Sequence, residues 1–365
     1  MSEQTEKHFD VIICGAGPAG ATCALALADS GLKIAVIEKS LFPRDKICGD
    51  AVAAYVPKVL NTLHPKYKDA INGFERKVSV DTCRVVAPNK KIIDLTFSEH
   101  GFISTRMDFD NFLFELAAAE KNITFFLEHT IKEVSIDETK GEVSVFANDT
   151  LFKAKIAVGC DGAQSLISKK LTENKQDPDH TSAAVRAYFK NVKGIPAKTF
   201  ELHFMKNLPG GYFWIFPIRE NRANVGVGVL SSVISKNKMN LRELMKDIIE
   251  DDPTVKERFA DAEMIGKIEG FGLPLGSRKI TISGNRFMLC GDAAALIDPI
   301  TGEGIGQAMI SGRYAGWQIK KCFMENNFSA PFMKQYDKAV YDKLWSSHRK
   351  SRLFRKLILN RDWLF

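Results

Sequence analysis

The chain has 365 residues, 45% apolar and 26% charged, which is ordinary for a globular protein and allows either two domains or one with a sizeable core. The net charge of +7, from 51 Lys+Arg against 44 Asp+Glu, is too small to argue for nucleic acid, and no run approaches the roughly 18–20 apolar residues that cross a bilayer. Seven cysteines, an odd number in a long chain, argue against disulfide staples and for a reducing compartment; with the polar start MSEQTEKHFD they predict a cytoplasmic protein.

The first forty residues read strand, turn, helix, strand. FDVIIC (9–14) is the continuous apolar run of a parallel strand buried on both faces. Gly15 to Gly20 turn, residues 19–30 are helical, Gly31 stops them, and KIAVIE (33–38) is the next strand. This βαβ unit opens a doubly wound sheet. Residues 76–101 alternate as strands around Pro88-Asn89, and 106–120 form an amphipathic helix. ITFFLEHTIKEVSI and EVSVFA read as an antiparallel excursion. KIAVGCDG (155–162) is another buried strand, 183–230 is strand-rich and aromatic, 240–262 is a charged helix pair broken at Pro253, and RFMLCGD (286–292) is a last buried strand before terminal helices. The expected fold is α/β: a Rossmann-like nucleotide domain (1–75, 102–182, 275–325), an interleaved, mainly antiparallel sheet domain (76–101, 183–274), and a helical segment (326–365).

Three motifs carry chemistry. In Gly15-Ala16-Gly17-Pro18-Ala19-Gly20, Gly15 permits the tight turn, Gly17 lets the backbone approach a pyrophosphate, and Gly20 lets helix and strand pack closely. The helix start offers free N–H groups to phosphates, and Glu38, ending the second strand, is placed to accept both hydroxyls of a ribose. Asp292, in Gly291-Asp292, suits a ribityl hydroxyl, and the Gly-rich run Thr301–Gly306 offers N–H groups where a flavin gathers charge on reduction. Asp161-Gly162 with Ser165 forms a turn expected beside the pyrophosphate.

These motifs, in this order and spacing, resemble the para-hydroxybenzoate-hydroxylase-like flavoprotein superfamily. Within it the chain is most similar to the geranylgeranyl reductase family. LFPRDKICGD (41–50) carries that family's Lys-x-Cys-Gly, residues 209–217 its PGGYxWxFP stretch, and 286–309 its Gly-Asp segment. The likeness covers about residues 9–320. Ser168 stands where the family usually has Arg, which removes support for a phosphate contact or reductant dock there. The resemblance implies an FAD-binding domain and hydride transfer to carbon–carbon double bonds of polyprenyl chains. By position it implies FAD contacts from Ala19, Glu38, Cys48, Gly49, Arg106, Asp292, Gly304 and Ile305, with Arg44 as a further one. It also implies a substrate cavity lined by Tyr212, Trp214 and Phe216.

The chemistry agrees. An isolated alkene offers no handle for hydrogen bonds, so flat apolar walls must hold it. Tyr212, Trp214 and Phe216 alternate at strand spacing and share one face. A proton is needed at the second carbon, and Cys48 is the candidate donor or relay; the competing reading is a small packing residue. The histidines are scattered and no cysteine pair has zinc-like spacing, so no metal site is expected. No second dinucleotide fingerprint appears, which leaves NAD(P)H or a ferredoxin-like carrier as transient reductant. The alternatives are a flavin monooxygenase (hydroxylase or epoxidase), a halogenase, whose Trp-x-Trp-x-Ile-Pro differs from Tyr212-x-Trp214-x-Phe216-Pro217, and a non-catalytic flavin or lipid carrier. Finally, residues 341–365 hold seven Lys+Arg against two Asp, with Leu353, Phe354, Leu357 and Ile358 at helical spacing and Trp363-Leu364-Phe365 at the end. A peripheral contact with the inner membrane face is one reading, and a helix capping the protein's own core is the other.

Overall fold

The structure is a computed structural model that describes residues 5–359. Three sheets organise it. The apolar runs that lack polar alternation become the central sheet, in the order Ser283–Gly284, Phe287–Leu289, Ile156–Gly159, Val11–Cys14, Ile34–Ile37, Ile123–Phe126. All neighbours are parallel except the first pair. Val11–Cys14, Ile34–Ile37 and Ile156–Gly159 are buried at every position, because helices cover both faces of a parallel sheet.

The alternating segments go elsewhere. Thr5–His8, Thr150–Ala154, Glu142–Ala147 and Ile131–Asp137 form a four-stranded sheet. The reading of ITFFLEHTIKEVSI as one antiparallel stretch is corrected here. Ile123–Phe126 is the parallel edge partner of Ile34–Ile37, and the antiparallel pairing begins only at Ile131. Glu128, at φ 59°, lies in the break between them; periodicity over one apolar run does not reveal that its halves join different sheets. An eight-stranded sheet takes strands from Ala51–Val52, Val78–Val86, Ile92–Ile103 and the region from Thr181 to Pro274. Its last strand, Glu263–Pro274, is twelve residues long and escaped the sequence reading, as its Gly and charged residues blur the alternation.

The aromatic strand Tyr212–Ile218 divides its side chains as its period requires. Phe213 and Ile215 join a core closed by the helix Leu241–Asp251. Trp214, Phe216 and Ile218 pack on the opposite face with Val80 and Ile103. Gly226 is the register partner of Trp214, and a Cβ there would overlap the indole ring; the V-G-V-G-V run of the next strand is the space into which the ring fits.

Helix Ile305–Met324 runs against helix Pro18–Ala26. The contact is close because Gly312 faces the Ala19 carbonyl and Gly316 faces Ala26. A Cβ at Gly312 would overlap that carbonyl oxygen. Gly312→Val should therefore lower stability by about 3 kcal/mol, read as a lower urea midpoint; an unchanged midpoint would mean that the two helices have room to spare.

Candidate functional site

Gly15, at φ 105°, makes the turn after the first central strand, and a Cβ on it would strike the Cys160 carbonyl. Gly20 lies so near the Gly15 carbonyl that only glycine fits. Gly17 is different: its nearest side-chain neighbours are the guanidiniums of Arg44 and Arg106, 3.7 and 4.0 Å from where a Cβ would be. Gly17 also caps helix Pro18–Ala26, with no side chain satisfying the first N–H groups. Uncapped N–H groups at a helix start and two guanidiniums close to a glycine that carries no side chain form a cradle open to an anion. The residues therefore fit a pyrophosphate.

One carboxylate holds both cations. Asp110 is fully buried; it accepts from Arg106 Nε and Nη2 at 2.6 and 2.7 Å and from Arg44 Nη1 at 2.9 Å. Burial alone would raise the Asp110 pKa, but Arg106 and then Arg44 outweigh it and hold the carboxyl below the usual range. Burial works against the Arg106 charge, and Asp110 outweighs it in turn. The helix Arg106–Ala118 is what places the pair four residues apart on one buried face.

Glu38 is buried and its oxygens accept from Ala16 N (2.9 Å) and Ser40 N (3.1 Å). It ties the second strand to the glycine turn and keeps lone pairs for hydroxyl donors. Asp161 Oδ2 accepts from Leu166 N and Ile167 N, so this carboxylate and Ser165 cap helix Leu166–Leu171. Burial pushes the Asp161 carboxyl up against those hydrogen bonds, and its Oδ1 is buried without a protein partner. Asp292 pairs with Lys46 (Oδ2–Nζ 3.0 Å), a partner the sequence reading did not assign. Gly304 caps helix Ile305–Met324, again with no side-chain cap. Ala19 and Ile305 are buried in the core that carries these loops.

The segment after Lys46 brings the nucleotide turn to the aromatic strand. A Cβ on Gly49 would lie 3.3 Å from the Phe216 ring and 3.8 Å from Trp214 Nε1. Tyr212 donates to Thr301 O at 2.5 Å, so the Gly-rich loop meets the first ring of the same strand. Trp214 lies 6.0 Å from Tyr212 and 6.1 Å from Phe216, centroid to centroid; both Trp214 and Phe216 are buried, and Tyr212 is half-buried. Cys48 is half-buried. Burial raises its pKa, countered in part by Arg106, so the thiol keeps its proton at neutral pH. A surface hollow of 630 Å³ bordered by Val78, Lys193, Lys198 and Arg222 includes none of these groups.

Sequence reasoning missed a polar cluster behind this wall. Asp50 is fully buried, at φ 66°. Its Oδ2 accepts from Tyr188 OH and Asn224 Nδ2, both at 2.8 Å. Asn224 also donates to Cys48 O (2.7 Å) and accepts from Trp214 Nε1 (2.9 Å). No spacing rule joins residues 174 positions apart; the i,i+4 pair Arg106/Asp110 on an otherwise apolar helix face was the one visible signal of this kind. Among the described residues no cluster of His, Cys, Asp or Glu is arranged to hold a metal.

The chain is similar to known proteins in sequence and in fold. Residues 10–169 match the model of the FAD dependent oxidoreductase family, and 180–270 that of the geranylgeranyl reductase catalytic domain. Digeranylgeranylglycerophospholipid reductase 2 of Methanococcoides burtonii is 30% identical over 341 residues, 91% of this chain and 80% of that protein. The reductase of the same name from Thermoplasma volcanium is 28% identical over 358 residues, 94% of this chain and 86% of the relative. A geranylgeranyl bacteriochlorophyll reductase-like protein from Thermoplasma acidophilum superposes with a TM-score of 0.85 at 26% identity, covering 98% of this chain and 89% of that one. The halogenase PltM, in complex with phloroglucinol and FAD, superposes at 0.80 with 16% identity over 95% of this chain and 76% of that one, a likeness of fold alone.

Arg106→Leu leaves Asp110 buried with only one of its three hydrogen bonds, the one from Arg44. It should cost about 3–5 kcal/mol of stability, measured by chemical unfolding, and the loss should shrink when Asp110 is changed to Asn in the same chain. A single variant as stable as wild type would show that Arg44 alone suffices for Asp110.

Proposed function

We propose, since the chain belongs to the geranylgeranyl reductase family of FAD-dependent oxidoreductases, that it reduces carbon–carbon double bonds of a polyprenyl chain or prenylated lipid. The observation that carries this reading is the meeting of three distant segments: Gly49 against Phe216, Thr301 against Tyr212, and Lys46 against Asp292. They join a nucleotide turn to an aromatic face, the two requirements of hydride delivery to an apolar alkene.

In this reading Gly15, Gly17, Ala19 and Gly20 form the pyrophosphate turn, with Arg44 and Arg106 as its counter-charges and Asp161 beside it. Glu38 takes ribose hydroxyls, Asp292 a ribityl hydroxyl, and Cys48, Gly49, Gly304 and Ile305 border the ring system. Reduced FAD, when bound, supplies a hydride. Tyr212, Trp214 and Phe216 hold the isoprenoid by shape and keep water out. Cys48, a thiol held protonated by burial, is the donor to the second carbon. NAD(P)H or a ferredoxin-like carrier supplies the electrons.

Gly17→Val fills the space under Arg44 and Arg106 and should yield protein without FAD, read from the absorbance of the purified chain; stoichiometric flavin in that variant would refute the placement. Wild-type enzyme reduced without oxygen should be reoxidised by a polyprenyl diphosphate or prenylated glycerolipid, and the product should gain two hydrogens per bond. A product carrying an oxygen atom from O2 would instead assign a monooxygenase.

The C-terminal helix Ala330–Leu359 has two faces. Inward, His348 is buried against Gly276, Ser351 donates to Asp298 Oδ2, and the buried Arg355 donates to Pro299 O. Arg355, counted above among the basic residues, is thus spent on the loop before Thr301. Outward, Leu353, Phe354 and Leu357 are 41–61% exposed beside Arg349, Lys350 and Lys356. The Ile358 side chain, Arg361, Asp362 and Trp363–Phe365 lie outside the described residues. Among the described residues no helix is long and apolar enough to cross a membrane. The exposed face suits an anionic surface at the inner membrane face, where a prenyl lipid resides. Co-sedimentation with anionic vesicles should be strong at low salt, weaker at high salt, and lost on changing Leu353, Phe354 and Leu357 to Ser; equal binding to neutral vesicles, or none at low salt, would refute the contact.

A further inference from the structure

The eight-stranded sheet has an edge that its own chain leaves open. The strand Ile92–Ile103 pairs with Val78–Val86 on one side. On the other side, Ala51–Val52 covers only Phe102 and Ile103. Every residue from Lys91 to His100 is exposed, and among the described residues no strand pairs with the outer side of Ile92–Ser98. At the hairpin end, Ala87 N donates to Lys91 O. Residues 91, 93 and 95 therefore turn their backbone groups to the neighbouring strand, and 92, 94 and 96 turn theirs outward. An open row of this kind is a template for another strand.

The side chains on this edge are apolar where an unpaired edge would carry charge. Ile92, Ile93, Leu95 and Phe97 are 48–57% exposed. The odd-numbered side chains share one face and read Lys91, Ile93, Leu95, Phe97, Glu99: a cation, three apolar groups, an anion. A copy of this segment laid alongside in the reverse direction sets each charge against its opposite. The strand is thus complementary to itself in the antiparallel sense, which is what a two-fold axis requires.

We propose that the chain forms a symmetric dimer by antiparallel pairing of Ile92–Ser98 with the same segment of a second copy, with the two-fold axis beside Leu95. Leu95 then faces Leu95, Ile93 faces Phe97 and Lys91 faces Glu99, in the pairs whose side chains come closest. Asp94 and Thr96 exchange the backbone hydrogen bonds. A slip of two residues either way sets Lys91 against Phe97 or Glu99 against Ile93, so the charges fix the register. The chain's own partner for Glu99 is Lys58, in an exposed ion pair that a second cation can share. Asp94 is held by Arg84 on the opposite face.

The edge is continuous with the candidate site. Ile93 is the register partner of Val85, Val85 of Leu202, and Leu202 of Trp214. Residues paired in this way share a face, so Phe97 of the second copy extends the face that carries the aromatic wall. The proposal rests on the open edge and its self-complementarity, and it stands whatever substrate the wall holds.

The test uses the FAD-loaded full chain in sedimentation-velocity runs over a range of protein concentrations. Wild type should approach twice the mass of one chain. Leu95→Glu sets two carboxylates beside the axis and should stay monomeric. Lys91→Glu opposes Glu99 twice by symmetry and should raise the dimer Kd about tenfold; Lys91→Glu combined with Glu99→Lys should restore it. These positions are exposed, so flavin content and the unfolding midpoint should keep their wild-type values. Register is read separately. Chains carrying Ile93→Cys and chains carrying Phe97→Cys, mixed and mildly oxidised, should give a disulfide-linked dimer that neither gives alone. A wild type that is monomeric at every concentration overturns the pairing, as does a dimer that Leu95→Glu leaves intact. Cross-linking of Ile93→Cys to itself in place of the mixture overturns the register.

Discussion

Asp110 is an acid with no access to water, and it remains charged only because two guanidiniums share it. That constraint propagates. Arg106 opens a helix and Arg44 lies in the loop after the second strand, so their common carboxylate fixes the loop to the helix. With Arg44 fixed, both cations face Gly17, and the chain that follows, from Lys46 to Asp50, must run from the glycine turn to the aromatic strand. Had the carboxylate been absent, two like charges at a helix N-terminus would have repelled each other and the loop would lack its anchor.

The second feature of the site is that it buries polar groups where an apolar substrate is expected. Trp214 donates to Asn224, Asn224 donates to Asp50 and to Cys48 O, and Tyr188 donates to Asp50. Each of these groups would be costly if unpaired. Together they give the wall one geometry, because rotating the indole would leave Asn224 Oδ1 without its donor. Gly226 makes the same demand sterically, since the ring lies where its Cβ would be. The apolar surface is shaped by a polar scaffold behind it.

The C-terminal helix joins this arrangement from a third direction. Ser351 and Arg355 grip Asp298 and Pro299, and Asp298 in turn accepts from Ile300 N and Thr301 N. Thr301 is the residue whose carbonyl receives Tyr212. The inward face of this segment, which packs on the protein's own core, therefore also holds the Gly-rich loop.

Local pattern determined the elements whose burial is uniform or strictly alternating: the fully buried strands at 11–14, 34–37 and 156–159, the glycine turn between the first two, and the split of Tyr212–Ile218 into two faces. Resemblance supplied the cofactor and the substrate class from short motifs at fixed spacing. Sequence could not divide 123–137 between two sheets, and it did not register the long strand ending at Pro274, because pairing partners are chosen by surfaces that a single stretch does not contain. Nor could it join Lys46 to Asp292, Asp50 to Asn224, or Ser351 to Asp298. Those partners are 246, 174 and 53 residues apart, and a charge or amide in sequence looks the same whether it ends in water or in the core. Only the folded chain removes the water, and with it gone each buried polar group must find the one partner within reach.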